Sequence, residues 1–166
     1  MSTLKVQNIQ HTNGTSGITI SSGGVITQPA IPCCFVKLTT GNAQDNANPY
    51  EIYDTDIRFD TIDLNQGNCY SESTGKFTVP VAGVYEAKLN ILTHNNTTQD
   101  HQIKLLKNGS IAGRAYHSVD SQYIPLAAHC LVDCNVGDYF TVQLQNGQIY
   151  IDSVGTYSMF SVKLVG

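Results

Sequence analysis

The pattern that decides the fold lies in RFDTIDLNQGNCYSESTGKFTVPVAGVYEAKL, residues 58–89. Aromatic residues, one asparagine and one glycine recur in it with five, four, six, five and one intervening residues: Phe59, Asn65, Tyr70, Phe77, Gly83 and Tyr85. From Tyr85 to Ile91, apolar residues alternate with Glu86, Lys88 and Asn90. A period of two predicts a β-strand with one buried face and one wetter face.

The same period recurs toward the C-terminus. Apolar residues alternate with polar ones in 140–144 and 160–164, and Asn-Gly turns at Asn108 and Asn146 separate such runs. Asparagine and glycine accept the positive φ angles of tight hairpins. Since 41% of the 166 residues are hydrophobic, the chain can bury the core of one domain. Short strands separated by turns, without an amphipathic helix, predict an antiparallel sandwich or barrel.

The aromatic spacing resembles the signature of the complement C1q globular head, a trimeric jelly roll related to tumour necrosis factor. Residues 30–41, 126–144 and 157–166 resemble further strands of that head, with Phe160 as the phenylalanine of the last strand. The chain has Ala87 where the signature usually closes with an aromatic residue. The resemblance implies an all-β jelly-roll sandwich over residues 30–166, with the signature residues and Phe160 in the core. It also implies a homotrimer that binds or displays rather than catalyses.

Residues 1–29 form a different segment, with short apolar pairs separated by Gly, Ser, Thr and Asn. Such a segment is too thin to bury a core alone. Its composition resembles the N-terminal connectors of bacteriophage fibres and appendages, especially those of cyanophages. We therefore expect an extended arm that associates with other virion proteins, the alternative being a disordered leader.

Apart from His129, the stretch 126–132 is apolar or small on both faces. A strand buried on both sides fits packing against neighbouring subunits. We predict that Ala127 and Leu131, together with Tyr85, lie at the trimer interface. The alternative for Ala127 and Leu131 is that a loop covers them.

Composition excludes several classes of function. The net charge is −4 and no stretch clusters Lys and Arg, which argues against nucleic acid as a partner. No apolar span long enough to cross a bilayer and no secretory signal is recognisable, so we expect no membrane insertion and assembly in a host cytoplasm. No spacing of His, Ser or acidic residues forms a catalytic motif, which predicts a protein that is not an enzyme.

The five cysteines suit buried apolar positions better than disulfides or a metal site. We therefore predict no metal site and no cofactor. Calcium is the one ion left open, because some members of the resembled family bind it through loop oxygens. The loop carboxylates to consider for it are Asp100, Asp120 and Asp152.

Successive antiparallel strands place their loops alternately at the two ends of a sandwich. If the last strand ends at the base, beside the arm, the loops 94–100, 118–122 and 145–155 lie at the opposite end, the tip. These loops carry residues suited to a sugar, because aromatic faces stack on its ring and amides match its hydroxyls. The candidate ligand-binding residues are Asn95, Asn96, Asp100, Asp120, Gln122, Tyr123, Tyr150 and Asp152, with Tyr157 beside them. Packing in the core or at the trimer axis is the alternative for each tyrosine.

Taken together, these patterns favour a virion structural protein, a phage tail or head fibre. Its arm would anchor to the particle, and its tip would bind the host surface, through a receptor or glycan. A second interpretation is an architectural head-decoration or adaptor protein that binds only other virion proteins. A cellular lectin-like or cytokine-like head is a third, disfavoured because no collagen-like stalk is present.

Overall fold

The computed structural model describes residues 6–10, 16–28, 31–40, 50–94, 99–118 and 123–166. All regular elements within these ranges are strands, and no helix able to span a membrane occurs among them. The strands are β1 (Asn8–Gln10), β2 (Ser16–Ile20), β3 (Ile26–Thr27), β4 (Cys33–Lys37), β5 (Thr61–Gln66), β6 (Tyr70–Ser71), β7 (Lys76–Thr78), β8 (Gly83–Leu92), β9 (His101–Lys107), β10 (Ser110–His117), β11 (Pro125–Cys134), β12 (Tyr139–Asn146) and β13 (Met159–Leu164).

The chain divides into two compact units, Met1–Ile31 and Pro32–Gly166. The first unit contains a three-stranded antiparallel sheet in the order β1-β2-β3. Several of its large apolar side chains are exposed: Val6, Ile9, Val25 and Ile26. A sheet this small leaves its apolar side chains in water unless another surface covers them.

The second unit, which we call the head, is a sandwich of two five-stranded sheets. One has the order β10-β9-β12-β7-β6 and the other the order β11-β8-β13-β4-β5. All the pairings between these strands are antiparallel. The prediction of an all-β sandwich is confirmed.

The core lies between the two sheets and follows the alternation seen in the sequence. In β8, Tyr85, Ala87, Leu89 and Ile91 are buried, while Lys88 and Asn90 are exposed. In the same sheet, β13 buries Phe160 and Val162, and in the opposite sheet β12 buries Phe140, Val142 and Leu144. Period-two patterns therefore placed the buried face of each of these strands.

The aromatic residues of the signature pack together inside the sandwich. The ring of Phe59 stacks on that of Phe160, with centroids 5.7 Å apart. Phe77 meets the rings of Tyr85 and Phe140, at centroid distances of 6.0 and 6.5 Å. Aromatic pairs in such arrangements stabilise a core beyond the burial of their area alone.

Tyr70 and Asn65 of the signature act through hydrogen bonds. The backbone N–H of Phe59 donates to the Tyr70 hydroxyl at 2.8 Å, and that hydroxyl donates to the Phe59 carbonyl at 3.1 Å. The Asn65 side chain bonds both the N–H and the carbonyl of Tyr70, each at 2.9 Å. Burial is the main cause that raises the pKa of Tyr70, so the hydroxyl keeps its proton. The hydrogen bonds of Tyr70 therefore fix the segment before β5, which contains Phe59, to β6, which begins at Tyr70.

Gly83 begins β8 at the end of the sandwich where the chain finishes. Its φ of +154° disfavours a side chain, and an added Cβ would lie 2.6 Å from the carbonyl oxygen of Gly166. The Val84 N–H donates to that same oxygen at 2.6 Å. We call this end the base, and the chain enters it at Pro32, whose carbonyl accepts from the Leu164 N–H at 3.1 Å.

Charged and amide groups tie two turns together at the base. Asp138 accepts from the Asn108 side chain at 2.7 Å, from the Asn135 N–H at 2.9 Å, and pairs with Lys107 at 2.9 Å. These hydrogen bonds, that from Asn108 first, lower the pKa of Asp138 to about 2. The base therefore consists of short turns that are fixed to each other.

Candidate functional site

At the tip, the end opposite the base, Thr93 holds three loops together. It is buried, its N–H donates to the Ile124 carbonyl at 2.9 Å, and its hydroxyl accepts from the Ile124 N–H at 2.8 Å. Thr93 also forms a β-bridge with Ile149, and the His94 N–H donates to the Gln148 carbonyl at 2.9 Å. The loops after β8, before β11 and after β12 consequently meet at one place.

Four aromatic rings cluster where these loops meet, and we call them the tip cluster: His94, Tyr123, Tyr150 and Tyr157. Tyr150 is central, with ring centroids 5.3 Å from Tyr123, 5.9 Å from Tyr157 and 6.0 Å from His94. Tyr123 and Tyr157 remain 44% and 50% exposed. Exposed faces of packed aromatic rings form a platform on which a flat or ring-shaped ligand can stack.

His94 was not among the residues that the sequence singled out. Its ring stacks on Tyr150 at an interplanar angle of 27° and meets Tyr123 at 68°, with centroids 5.6 Å apart. Its Nδ1 nitrogen is buried, and within the part of the chain that the structure describes it has no hydrogen-bond partner. A buried polar atom left unpaired costs about 1–3 kcal/mol. The feature of the sequence that could have identified His94 as a tip residue is its position, two residues past a strand that ends at the tip.

The two acidic candidates that the structure describes are engaged in contacts within the chain. Asp100 accepts from the Tyr116 hydroxyl at 2.9 Å, which raises the pKa of Tyr116. Asp152 accepts from the Thr156 N–H at 3.2 Å and from its hydroxyl at 3.0 Å, closing the loop that precedes Tyr157. The predicted residues Asn95, Asn96, Asp120 and Gln122 lie outside the described residues.

The described residues contain no group of three or more His, Cys, Asp or Glu side chains that could hold a metal ion. The calcium prediction includes Asp120, which lies outside the described residues, and it stays a prediction. Burial raises the pKa of the Cys34 thiol to about 12 and raises those of Cys69, Cys130 and Cys134. These four thiols are therefore poor nucleophiles at neutral pH.

Ala127 and Leu131 lie on the outer face of the sheet β11-β8-β13-β4-β5. Both are exposed in the single chain, Leu131 to 63%. A groove of about 410 Å³ crosses this face and is lined by Ala127, Phe35 and Met159 together with polar side chains. This face thus presents apolar groups to water on the strand where the sequence predicted an interface.

Tyr85 differs from the other two predicted interface residues. Its side chain points to the opposite face of the sheet and is fully buried within one chain. Its ring packs on Phe77, and its hydroxyl donates to the Val81 carbonyl at 2.9 Å. The alternation along β8 explains this, because Tyr85 shares the inner face with Ala87 and Leu89. The structure places Tyr85 in the core and not at a surface between subunits.

Residues 39–165 match the C1q domain, a span that includes most of the head and the whole signature. The chain belongs to the C1q domain family. Mouse complement C1q and tumor necrosis factor-related protein 9 is 32% identical over 95 residues, which are 57% of this chain and 28% of that protein. Human complement C1q tumor necrosis factor-related protein 3 is 23% identical over 107 residues, 64% of this chain and 43% of that protein. The chain thus spans less than half the length of these relatives.

Solved structures show the same fold. The globular domain of zebrafish complement 1qA protein superposes with a TM-score of 0.64 at 14% identity, covering 81% of this chain and 98% of that chain. Murine APRIL superposes with a TM-score of 0.60 at 12% identity, covering 81% and 99%. The C1q-type head is therefore a jelly roll of the kind that the signature implied, and that prediction is confirmed.

Proposed function

We propose that the chain is a non-enzymatic virion appendage protein, a homotrimer whose head binds carbohydrate on a host surface. The observation that carries the proposal is the tip cluster, because it gathers exposed tyrosine faces at the end of the head farthest from the base. Residues 1–29 serve as the attachment to the particle. The protein is accordingly found on the virion.

Carbohydrate suits the tip better than a charged ligand. Tyr123 and Tyr157 offer ring faces, and tyrosine hydroxyls can donate and accept hydrogen bonds. Among the described residues, the acidic side chains nearest in sequence to the tip cluster are Asp100 and Asp152. Both already accept hydrogen bonds from other residues of the chain. A neutral, hydroxylated ring matches a platform of this composition.

The homotrimer is supported by the outer face of the sheet that contains β11. Ala127 and Leu131 are apolar and exposed there, beside the groove lined by Phe35 and Met159. An exposed apolar patch on a head of this kind is typical of an interface between subunits. Three heads around one axis would present three tip clusters, and multivalent contact raises the strength of binding to a surface.

The attachment role of the arm is supported by its exposed apolar side chains. Ile9 and Ile26 lie in a sheet of three short strands, Val6 and Val25 lie close to these strands in sequence, and all four side chains are exposed. Such side chains favour association with another protein surface. The same observation favours the second candidate, a decoration or adaptor protein that binds only other virion proteins.

The test is binding of the purified full chain to host cells and to immobilised surface glycans. We expect Tyr157→Ala to reduce this binding at least tenfold, while Tyr53→Ala leaves it unchanged. Tyr53 is a matched control because it is 41% exposed and lies outside the tip cluster, on the segment that bridges to β12. Binding to particles that lack the protein, with no binding to cells or glycans, would favour the decoration protein instead.

A further inference from the structure

His94 packs against two tyrosines of the tip cluster and has a ring nitrogen that no other described residue bonds. Its backbone N–H is bonded to Gln148, and its ring contacts Tyr123 and Tyr150, but Nδ1 has no hydrogen-bond partner among the described residues and is shielded from water. Native structures satisfy nearly all buried polar atoms, so an unpaired one calls for an explanation. A phenylalanine would fill the same space without this cost.

Tyr123, the neighbour of His94, holds an unfavourable backbone conformation. Its φ is +31°, a region that a residue with a bulky side chain rarely adopts. Backbone strain of this kind concentrates at ligand clamps and switch regions. The Tyr123 ring stands edge-on to both His94 and Tyr150 and is partly exposed. A movement of this residue would relieve its strain and open the ring of His94 to a ligand.

We propose that His94 is the hydrogen-bonding residue of the tip site and that it takes a hydroxyl group of a sugar ring through Nδ1. Tyr123 moves aside on binding, and the sugar ring stacks against Tyr150 and Tyr157. This inference rests on the proposed carbohydrate-binding function and adds the residue that selects the ligand.

The chemistry of Nδ1 favours a hydroxyl over other ligand groups. In neutral imidazole, Nδ1 is either a donor or an acceptor according to the tautomer, and a hydroxyl can supply the complementary role in both cases. A quaternary ammonium ion would also be attracted to tyrosine faces. Such an ion has no hydrogen-bonding group and would leave Nδ1 unpaired, so the site should discriminate against it.

The test uses the full chain with ¹⁵N-labelled histidine rings. The probes are the methyl glycosides of glucose, galactose, mannose and N-acetylglucosamine, with tetramethylammonium as the competing probe. Their affinities are measured by ligand-observed NMR for the wild type and three variants. His94→Phe keeps a ring without nitrogen, His94→Gln places its amide near the position of Nε2, and His94→Asn places its amide near that of Nδ1. If His94→Phe fails to fold, the Gln and Asn variants carry the comparison.

We expect at least one glycoside to shift the Nδ1 resonance of His94. His94→Phe and His94→Gln should weaken binding of that glycoside about tenfold, the effect of one lost hydrogen bond. His94→Asn should stay within about threefold of the wild type. His94→Phe should unfold at no lower temperature than the wild type, because it removes an unpaired atom.

Equal glycoside affinity of wild type and His94→Phe, with an unmoved Nδ1 resonance, would overturn the inference and leave the carbohydrate-binding function standing. Binding of tetramethylammonium in place of every glycoside would also overturn it. A wild type that binds neither glycosides nor host cells would instead refute the proposed function itself, and the cell-binding assay separates that outcome from the first.

Discussion

Replacing Tyr70 by phenylalanine tests whether the C1q signature stabilises the head through a hydrogen-bonded lock. The variant keeps the ring in the core and removes only the hydroxyl, which accepts from the Phe59 N–H and donates to the Phe59 carbonyl. Phe59 lies outside the strands, and within the described residues these two groups have no backbone partner. The substitution therefore leaves one donor and one acceptor buried and unpaired.

The size of the effect follows from those two groups. A buried polar group without a partner costs about 1–3 kcal/mol, so the loss of both bonds should lower the free energy of unfolding by about 2–6 kcal/mol. Tyr85→Phe is the matched control. The Tyr85 hydroxyl makes one hydrogen bond to a described residue, the carbonyl of Val81, and Val81 is exposed. Water can replace that bond, so the control should cost about 0.5–1.5 kcal/mol.

Urea unfolding, followed by circular dichroism at one fixed protein concentration, measures both variants. Fixed concentration matters because self-association adds a concentration-dependent term to the apparent stability. With a slope of about 2 kcal/mol per molar urea, the midpoint should fall by about 1–3 M for Tyr70→Phe and by less than about 0.8 M for Tyr85→Phe. If the midpoint falls no further for Tyr70→Phe than for Tyr85→Phe, the lock does not stabilise the head as argued.

Three further predictions concern the base and the outer sheet face. Gly83→Ala should lower the melting temperature more than Gly137→Ala. Both glycines have positive φ angles, but of the two only Gly83 has other atoms within 4 Å of an added Cβ. Equal effects of the two substitutions in thermal denaturation would contradict this. The pKa of Asp138 falls from 3.8 to about 2 on folding. Its carboxylate therefore stabilises the folded state above about pH 4, and this stabilisation is lost as the pH falls through about 2. Asp138→Asn should therefore lower the melting temperature at pH 6 and by much less at pH 2, and a difference independent of pH would refute the assignment. Leu131→Glu should reduce the mass measured by light scattering from that of three chains to that of one chain, 18.0 kDa. Val136 is similarly exposed but lies in a base turn, so Val136→Glu should leave the mass unchanged. An unchanged mass for Leu131→Glu would count against this face as the interface.

The sequence predicted the strands of the head better than the segment that covers them. Alternation in β8, β12 and β13 identified the apolar residues that they bury because each strand pairs along its whole length, and the buried Thr141 of β12 is the exception to the pattern. The segment 50–57 gave no such signal, although Tyr50 and Ile57 are fully buried. It pairs with β12 and the loop that follows β12 through isolated bridges, such as that between Tyr50 and Ile149, and single bridges leave no period in a sequence.

The tip shows a similar division between what was predictable and what was not. Alternating strand direction placed Tyr150 in a predicted loop at one end and Tyr123 and Tyr157 beside such loops, and the structure brings these three rings together. Their contact depends in part on the hydrogen bond from the Thr93 N–H to the Ile124 carbonyl, between residues 31 positions apart. Bonds between carbonyl and N–H groups do not depend on side-chain type, so no pattern in the sequence could reveal them. The addition of His94 to the cluster follows from the same bonds.

This arrangement also determines how ring substitutions at the tip should be interpreted. The loops are fixed by the buried hydroxyl of Thr93, by backbone bonds to Ile124 and Gln148, and by the bridge to Ile149, none of which uses an aromatic ring. Removing the half-exposed ring of Tyr157 therefore subtracts contact area without releasing the loops. A loss of binding in that variant, at unchanged stability, would then report on the ligand and not on the scaffold. Truncating Phe77 in the core would do the reverse, costing about 3–5 kcal/mol because the cavity lies between the sheets, away from the tip surface.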